Sequence, residues 1–253
     1  MVPEEGRDVD RALLLNFRIE QFREDPIREE DLGPGRRVFH VAIAETCQRE
    51  QKQIPLIITR CVEEVEARGL CDVGIYRVSG LTTEMNQLSS AFDENSTTTD
   101  VKDVDINTVC SLLKQYLRQL PECLFTNSLY PQFLRGFYNL DMQVSVDSYD
   151  PDPDNIDPAA RTMLTLFSSL PTINRTVVVY LLQHLVRVSS YEIENKMSLS
   201  NIATVFGPTL LHSDVTSMTD PCGILDINAQ VGVLHFFLSR VARNIPIELP
   251  EYY

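Results

Sequence analysis

The chain has 253 residues, 43% hydrophobic and 23% charged, the profile of an ordinary soluble globular protein able to bury a core in one large or two modest domains. No window reaches the roughly 18 uninterrupted apolar residues that cross a bilayer, and the acidic opening MVPEEGRDVD is unlike a signal peptide, so no transmembrane segment and a cytoplasmic location are expected. Of the formal charge of −14, residues 1–35 (ten acids, five arginines) and 141–157 (six aspartates, no base) hold −11; with no basic stripe, nucleic acid is excluded as a partner.

In chain order, Leu13, Leu15, Phe17 and Ile19 alternate with Leu14, Asn16, Arg18 and Glu20, the period-two pattern of a half-buried strand. A lone strand cannot stand without a partner, so it reads as an orphan, the remnant of an upstream β domain. REDPIREEDLGPG is then polar, acidic and broken by Pro26, Gly33, Pro34 and Gly35, which makes residues 1–36 an N-terminal segment with an acidic linker.

From Pro55 onward the helical period dominates. Ile58, Cys61, Val62 and Val65 fall at i, i+3, i+4 and i+7 between Pro55 and Gly69. Leu81, Met85, Leu88 and Phe92 repeat the pattern. Asp105 can cap a helix whose apolar face is Ile106, Val109, Cys110, Leu113, Leu117 and Leu120, ended by Pro121; Leu129, Phe133, Phe137 and Leu140 mark the next. The acidic, proline-broken run 141–157 is an exposed loop, closed by Asp157 and Pro158 as cap and first-turn residue. Pro171 divides the helix that follows from one aligned on Ile173, Val177, Leu181, Leu185 and Val188. SLSNIATVF predicts a short helix stopped by Gly207 and Pro208, and Ile227, Val231, Leu234, Leu238 and Val241 mark the last. Eight or nine helices without a strand after residue 55 define an all-α domain over residues 37–245, followed by a tail, 246–253.

The six cysteines form no CxxC pair, and Cys61, Cys71 and Cys110 lie in or beside apolar segments, so buried free thiols are expected. The four histidines have no metal-ligand spacing; His184 and His235 fall in apolar helical patterns as core-edge residues, and no metal site is expected.

Three polar features are not required by packing. DVGIYRVSG sets Arg77 in an apolar run, where an arginine ordinarily either snorkels to water or pairs with a carboxylate. Lys114 and Arg118 stand at i and i+4 on a helix whose opposite face is apolar, either as two solvated charges or as a cationic pair aimed at an acidic partner. Asn201 lies within a helix that asparagine disfavours, either as a satisfied structural amide or as one presented to a partner's backbone.

Taken together and in order, GIYRVSG, LLKQYLRQLPECLFT and NKMSLSNIATVFGPTLL resemble the Rho GTPase-activating (RhoGAP) domain family. VFHVAI, IITRCVEEVEARG and AFDEN are most similar to its breakpoint cluster region type, in which a C2 domain precedes the GAP domain. The resemblance implies a RhoGAP-type helical domain that accelerates GTP hydrolysis by a Rho-family small GTPase in its GTP-bound state, of the Rac or Cdc42 kind. By the same resemblance Arg77 is the catalytic arginine finger, supplied in trans. Lys114 and Arg118 line the groove for the switch regions, and Asn201 reads the switch conformation. Lys196, in NKM, also matches, either as a GTPase contact or as an ion pair closing the bundle. Gly74 and Gly80 become the ends of a projecting loop anchored by Ile75 and Val78. The protein would then be an activator rather than an enzyme in its own right, with no cofactor of its own, since GTP and Mg belong to the partner. Membrane recruitment would come through the partner or through regions outside this chain. The alternative is a catalytically inactive RhoGAP-like module that binds Rho GTPases as a scaffold. PECL replaces the family's usual PEPL at Cys123, which removes no catalytic group.

Overall fold

The structure, a computed structural model, describes residues 37–141, 156–212 and 223–248. The expected strand at 13–19, the linker and most of the acidic loop lie outside the described residues. Among those described there are ten helices and no strand: α1 (Ile43–Glu50), α2 (Leu56–Arg68), α3 (Thr82–Glu94), α4 (Ile106–Arg118), α5 (Tyr130–Tyr138), α6 (Pro158–Ser168), α7 (Thr172–Ser189), α8 (Glu192–Asn195), α9 (Leu199–Leu210) and α10 (Gly223–Ala242). The protein is all-α. The helices absent from the sequence reading are α1, whose buried face of Ile43, Thr46, Cys47 and Glu50 is half polar and so shows no apolar period, and α8, of only four residues.

Local chemistry sets several of the ends. Asp105 Oδ1 accepts from the amides of Asn107 and Thr108 to start α4, and Asp157 Oδ2 accepts from Ala160 N to start α6, with Pro158 in its first turn. Pro55 cannot cap α2 with a side chain, and the Glu50 carboxylate accepts from Leu56 N instead, at 2.7 Å. Ser198 Oγ accepts from Asn201 N to begin α9.

The apolar faces converge on a core in which α2 packs on α4 and α7, and α10 on α5, α7 and α9. Phe125, Phe133, Phe167 and Phe237 form an aromatic cluster, with ring centroids 5.0 Å apart for Phe125–Phe133 and Phe167–Phe237. Arg240, wholly buried in α10, donates from Nε and Nη2 to the Pro246 carbonyl; this, with Ile247, ties the end of the described chain to the core.

Several expectations are corrected. Gly207 and Pro208 do not stop α9, which continues to Leu210. A Cβ at Gly207 would lie 2.9 Å from Val231 Cα, so the glycine permits backbone contact with α10. Burial of Phe206, Leu210 and Leu211, each contributing about 1.5–3 kcal/mol, outweighs the roughly 3 kcal/mol cost of an internal proline. Leu81 and Ile227 are exposed rather than on core faces, and of α3 only Phe92 is buried. Cys47, Cys61, Cys110 and Cys123 are buried thiols, but Cys71 is exposed in the turn after α2, where the chain has left the apolar face. His184 is not at the core edge but inside it, 1% exposed, because its ring nitrogens find polar partners there.

Candidate functional site

Between α2 and α3 the chain makes a tight loop. Gly74, at φ +77°, donates its amide to the Asn195 carbonyl at 2.7 Å, and its own carbonyl accepts from the amides of Arg77 (2.8 Å) and Val78 (2.9 Å). At the far end Gly80 presses on the first turn of α4; a Cβ there would lie 2.2 Å from Thr108 Cα, which only glycine avoids. The Gly80 and Leu81 amides donate to Ser111 Oγ and Thr108 Oγ1. Both ends of the loop are thus fastened to helices remote in sequence.

Within the loop Tyr76 adopts φ +68°, a left-handed conformation that costs a bulky residue about 1–2 kcal/mol. Burial offsets the strain. Tyr76 is fully buried, edge-on to Phe206 with centroids 4.9 Å apart, and its hydroxyl meets His184 Nε2 at 2.6 Å. The reversal turns the next side chain out of the protein. Arg77 is exposed, its guanidinium lies beside Gly74, and among the described residues no carboxylate pairs with it. Of its two ordinary fates, Arg77 takes the one that leaves the charge in water. The expected anchor Val78 is 44% exposed; Ile75 and Tyr76 hold the loop, since the inverted backbone at Tyr76 exchanges the residues facing in and out.

Lys114 and Arg118 separate. Arg118 is exposed at the last turn of α4, whereas Lys114 is buried and its ammonium donates to the Tyr76 carbonyl. That excludes the reading of both as solvated charges. Desolvation lowers the pKa of Lys114; Cys110 opposes the shift and the Arg118 charge adds to it. Desolvation also lowers that of Arg118.

Asn201 is in the first turn of α9, not mid-helix, so its low helix propensity costs little. It is exposed, and its Nδ2 donates to the Lys196 carbonyl at 3.1 Å. Lys196, also exposed and at φ +61°, donates its ammonium to the Ile193 carbonyl rather than to a carboxylate. Asn195 joins this corner to the loop. Fully buried, it donates through Nδ2 to the carbonyls of Leu70 and Val188 (both 2.8 Å), accepts from Met197 N through Oδ1, and accepts from Gly74 N through its carbonyl. A hydrogen-bonded chain therefore links Arg77's loop to Lys114 on one side and to Lys196 and Asn201 on the other. Arg118 joins the group only through its place one turn beyond Lys114.

Sequence reasoning passed over Tyr76, Asn195 and His184. The first two stand directly beside Arg77 and Lys196, and that adjacency is the one signal that could have found them; His184 was read only as a core-edge residue, its place in an apolar helical pattern being the signal.

The domain clamps from both sides a loop that holds Arg77 in solvent with no carboxylate partner among the described residues. The RhoGAP domain matches residues 55–215, and the chain belongs to the RhoGAP family. It is 38% identical to the human breakpoint cluster region protein over 95% of this chain, and 42% identical to the active breakpoint cluster region-related protein of Xenopus tropicalis over 80% of it. The chain spans 18% and 23% of those two curated relatives' own lengths. The crystal structure of human Rho GTPase activating protein 15 superposes with a TM-score of 0.69 at 27% identity, covering 83% of this chain and 92% of that one.

Proposed function

We propose that this domain binds a Rho-family small GTPase in its GTP-bound state and accelerates hydrolysis of the nucleotide by inserting Arg77, with Rac- and Cdc42-like proteins as the preferred partners. The observation that carries the reading is the unpaired guanidinium of Arg77 on a loop whose neighbouring residue is buried and hydrogen-bonded through both carbonyl and hydroxyl. As the γ-phosphoryl departs, negative charge develops on the phosphate oxygens, and a planar, permanently protonated group with several donors is suited to meet it. Lys114 holds the loop backbone, Arg118 supplies charge to the groove, and Asn201 and Lys196 offer an amide and an ammonium to the partner's switch region. GTP and Mg are the partner's, and the domain acts in the cytoplasm, recruited to membrane by the GTPase.

Single-turnover GTP hydrolysis by Rac, Cdc42 and Rho, each with and without the protein, tests this. Acceleration is expected, greatest for the first two. Arg77→Ala should cut the stimulated rate by about 10³- to 10⁵-fold, equivalent to roughly 4–7 kcal/mol of transition-state stabilisation, with binding retained. No acceleration of any of the three sinks the proposal and leaves a binding module.

A further inference from the structure

The polar network behind Arg77 has a purpose that the finger alone does not state. Tyr76 Oη lies 2.6 Å from His184 Nε2, His184 Nδ1 lies 2.9 Å from Glu66 Oε1, and Glu66 Oε2 accepts from Arg187 Nη1. Tyr76 is fully buried and His184 is 1% exposed, so neither can exchange this partner for water. A carboxylate only accepts. With a carboxylate oxygen facing it, Nδ1 is placed to donate to Glu66, and Nε2 is the ring nitrogen that pairs with the tyrosine hydroxyl. The chain reads Arg187 to Glu66 to His184 to Tyr76, with Arg187 Nη2 buried and left without a hydrogen-bond partner. It crosses from α7 to α2 and back before reaching the residue next to Arg77.

We propose that His184, fixed by Glu66, is a positioning residue for Arg77: by holding the Tyr76 hydroxyl it keeps Tyr76 in the left-handed conformation that aims the arginine outward. Ring burial alone does not specify that aim. Tyr76 could keep its ring against Phe206 and relax its backbone, and the relaxation would swing Arg77. The hydroxyl and the Lys114-bound carbonyl are the polar ties of Tyr76 that resist this, beside the Arg77 and Val78 amides held by the Gly74 carbonyl. Errors on the order of 1 Å in a catalytic group cost about 100-fold in rate. The inference rests on the arginine-finger reading.

The test is single-turnover hydrolysis with the GTP-loaded Rho-family protein that responds most strongly, titrated with the full chain. Tyr76→Phe removes one oxygen and keeps the ring. It should lower the maximal stimulated rate about 10- to 100-fold while the half-saturating concentration moves less than about twofold. His184→Gln, which keeps an acceptor but loses the link to Glu66, should fall between Tyr76→Phe and wild type. In an Arg77→Ala background Tyr76→Phe should cost nothing further. An unchanged maximal rate in Tyr76→Phe overturns the inference and leaves the finger reading standing. So does a shift confined to half-saturation, or an equal loss in the Arg77→Ala background. If Arg77→Ala itself stimulates normally, both readings fall.

Discussion

Lys114 is the residue whose two properties pull against each other. Its ammonium is buried at a cost that lowers its pKa, yet it supplies the donor for the carbonyl that precedes Arg77. Lys114→Met keeps the apolar stem and removes the charge, so the lost hydrogen bond and the relieved desolvation offset each other in stability. They do not offset each other in aim. The expected outcome is a melting temperature within a few degrees of wild type and a stimulated rate lower by about 10-fold, measured by a thermal scan beside single-turnover hydrolysis. Residue by residue, the sequence showed which charges were gratuitous but not where each went. Lys114 and Arg118 look equivalent at i and i+4, and only the Tyr76 carbonyl distinguishes them. Val78 looked as good an anchor as Ile75, because side-chain alternation is readable only while the backbone stays in its usual hand, and at Tyr76 it does not.

At the scale of elements, the capped, periodic helices were the legible ones. Asp105 and Asp157 cap where they were expected to, since a cap is a local event between residues two or three apart. The course of α9 through Gly207 and Pro208 was illegible because its cause lies in α10. The start of α2 depends similarly on a distant group. Glu50, at the end of α1 and wholly buried, takes the Leu56 amide and the Ser96 hydroxyl. Its pKa is raised by desolvation, which outweighs the Ser96 and Leu56 hydrogen bonds and the nearby charges of Arg49 and Arg60. A raised carboxyl pKa means that the folded chain holds the proton more tightly than the unfolded chain. The stability that protonation of Glu50 supplies is therefore fully present below the unfolded value near 4.5 and is lost as pH rises through the folded pKa. Glu50→Gln keeps an acceptor for Leu56 and can donate to Ser96. Relative to wild type it should gain stability as pH rises from 4 toward 7, seen as a widening difference in urea midpoints; parallel midpoints at all pH values would contradict this.

For the whole molecule, the decisive electrostatic quantity is range. Outside residues 1–35 and 141–157 the formal charge is −14 + 11 = −3, and Arg77, Arg118 and Lys196 are exposed cations of the site. At about 0.1 M salt the Debye length is roughly 10 Å, so a partner at the site senses chiefly the charges within that range, those of Arg77, Arg118 and Lys196 among them. Raising salt from about 0.1 to 0.5 M should increase the half-saturating concentration several-fold, and Arg118→Gln should flatten that dependence; titration of the stimulated rate at each salt reads both. The loop's anchorage has a consequence in time as well as in space. Tyr76 reaches His184 across 108 residues and Asn195 reaches Leu70 across 125. During synthesis α2, α4 and the Arg77 loop leave the ribosome before the residues that fasten the loop to α7 and α8. The geometry of the Arg77 loop therefore waits on residues as far downstream as His184 and Asn195.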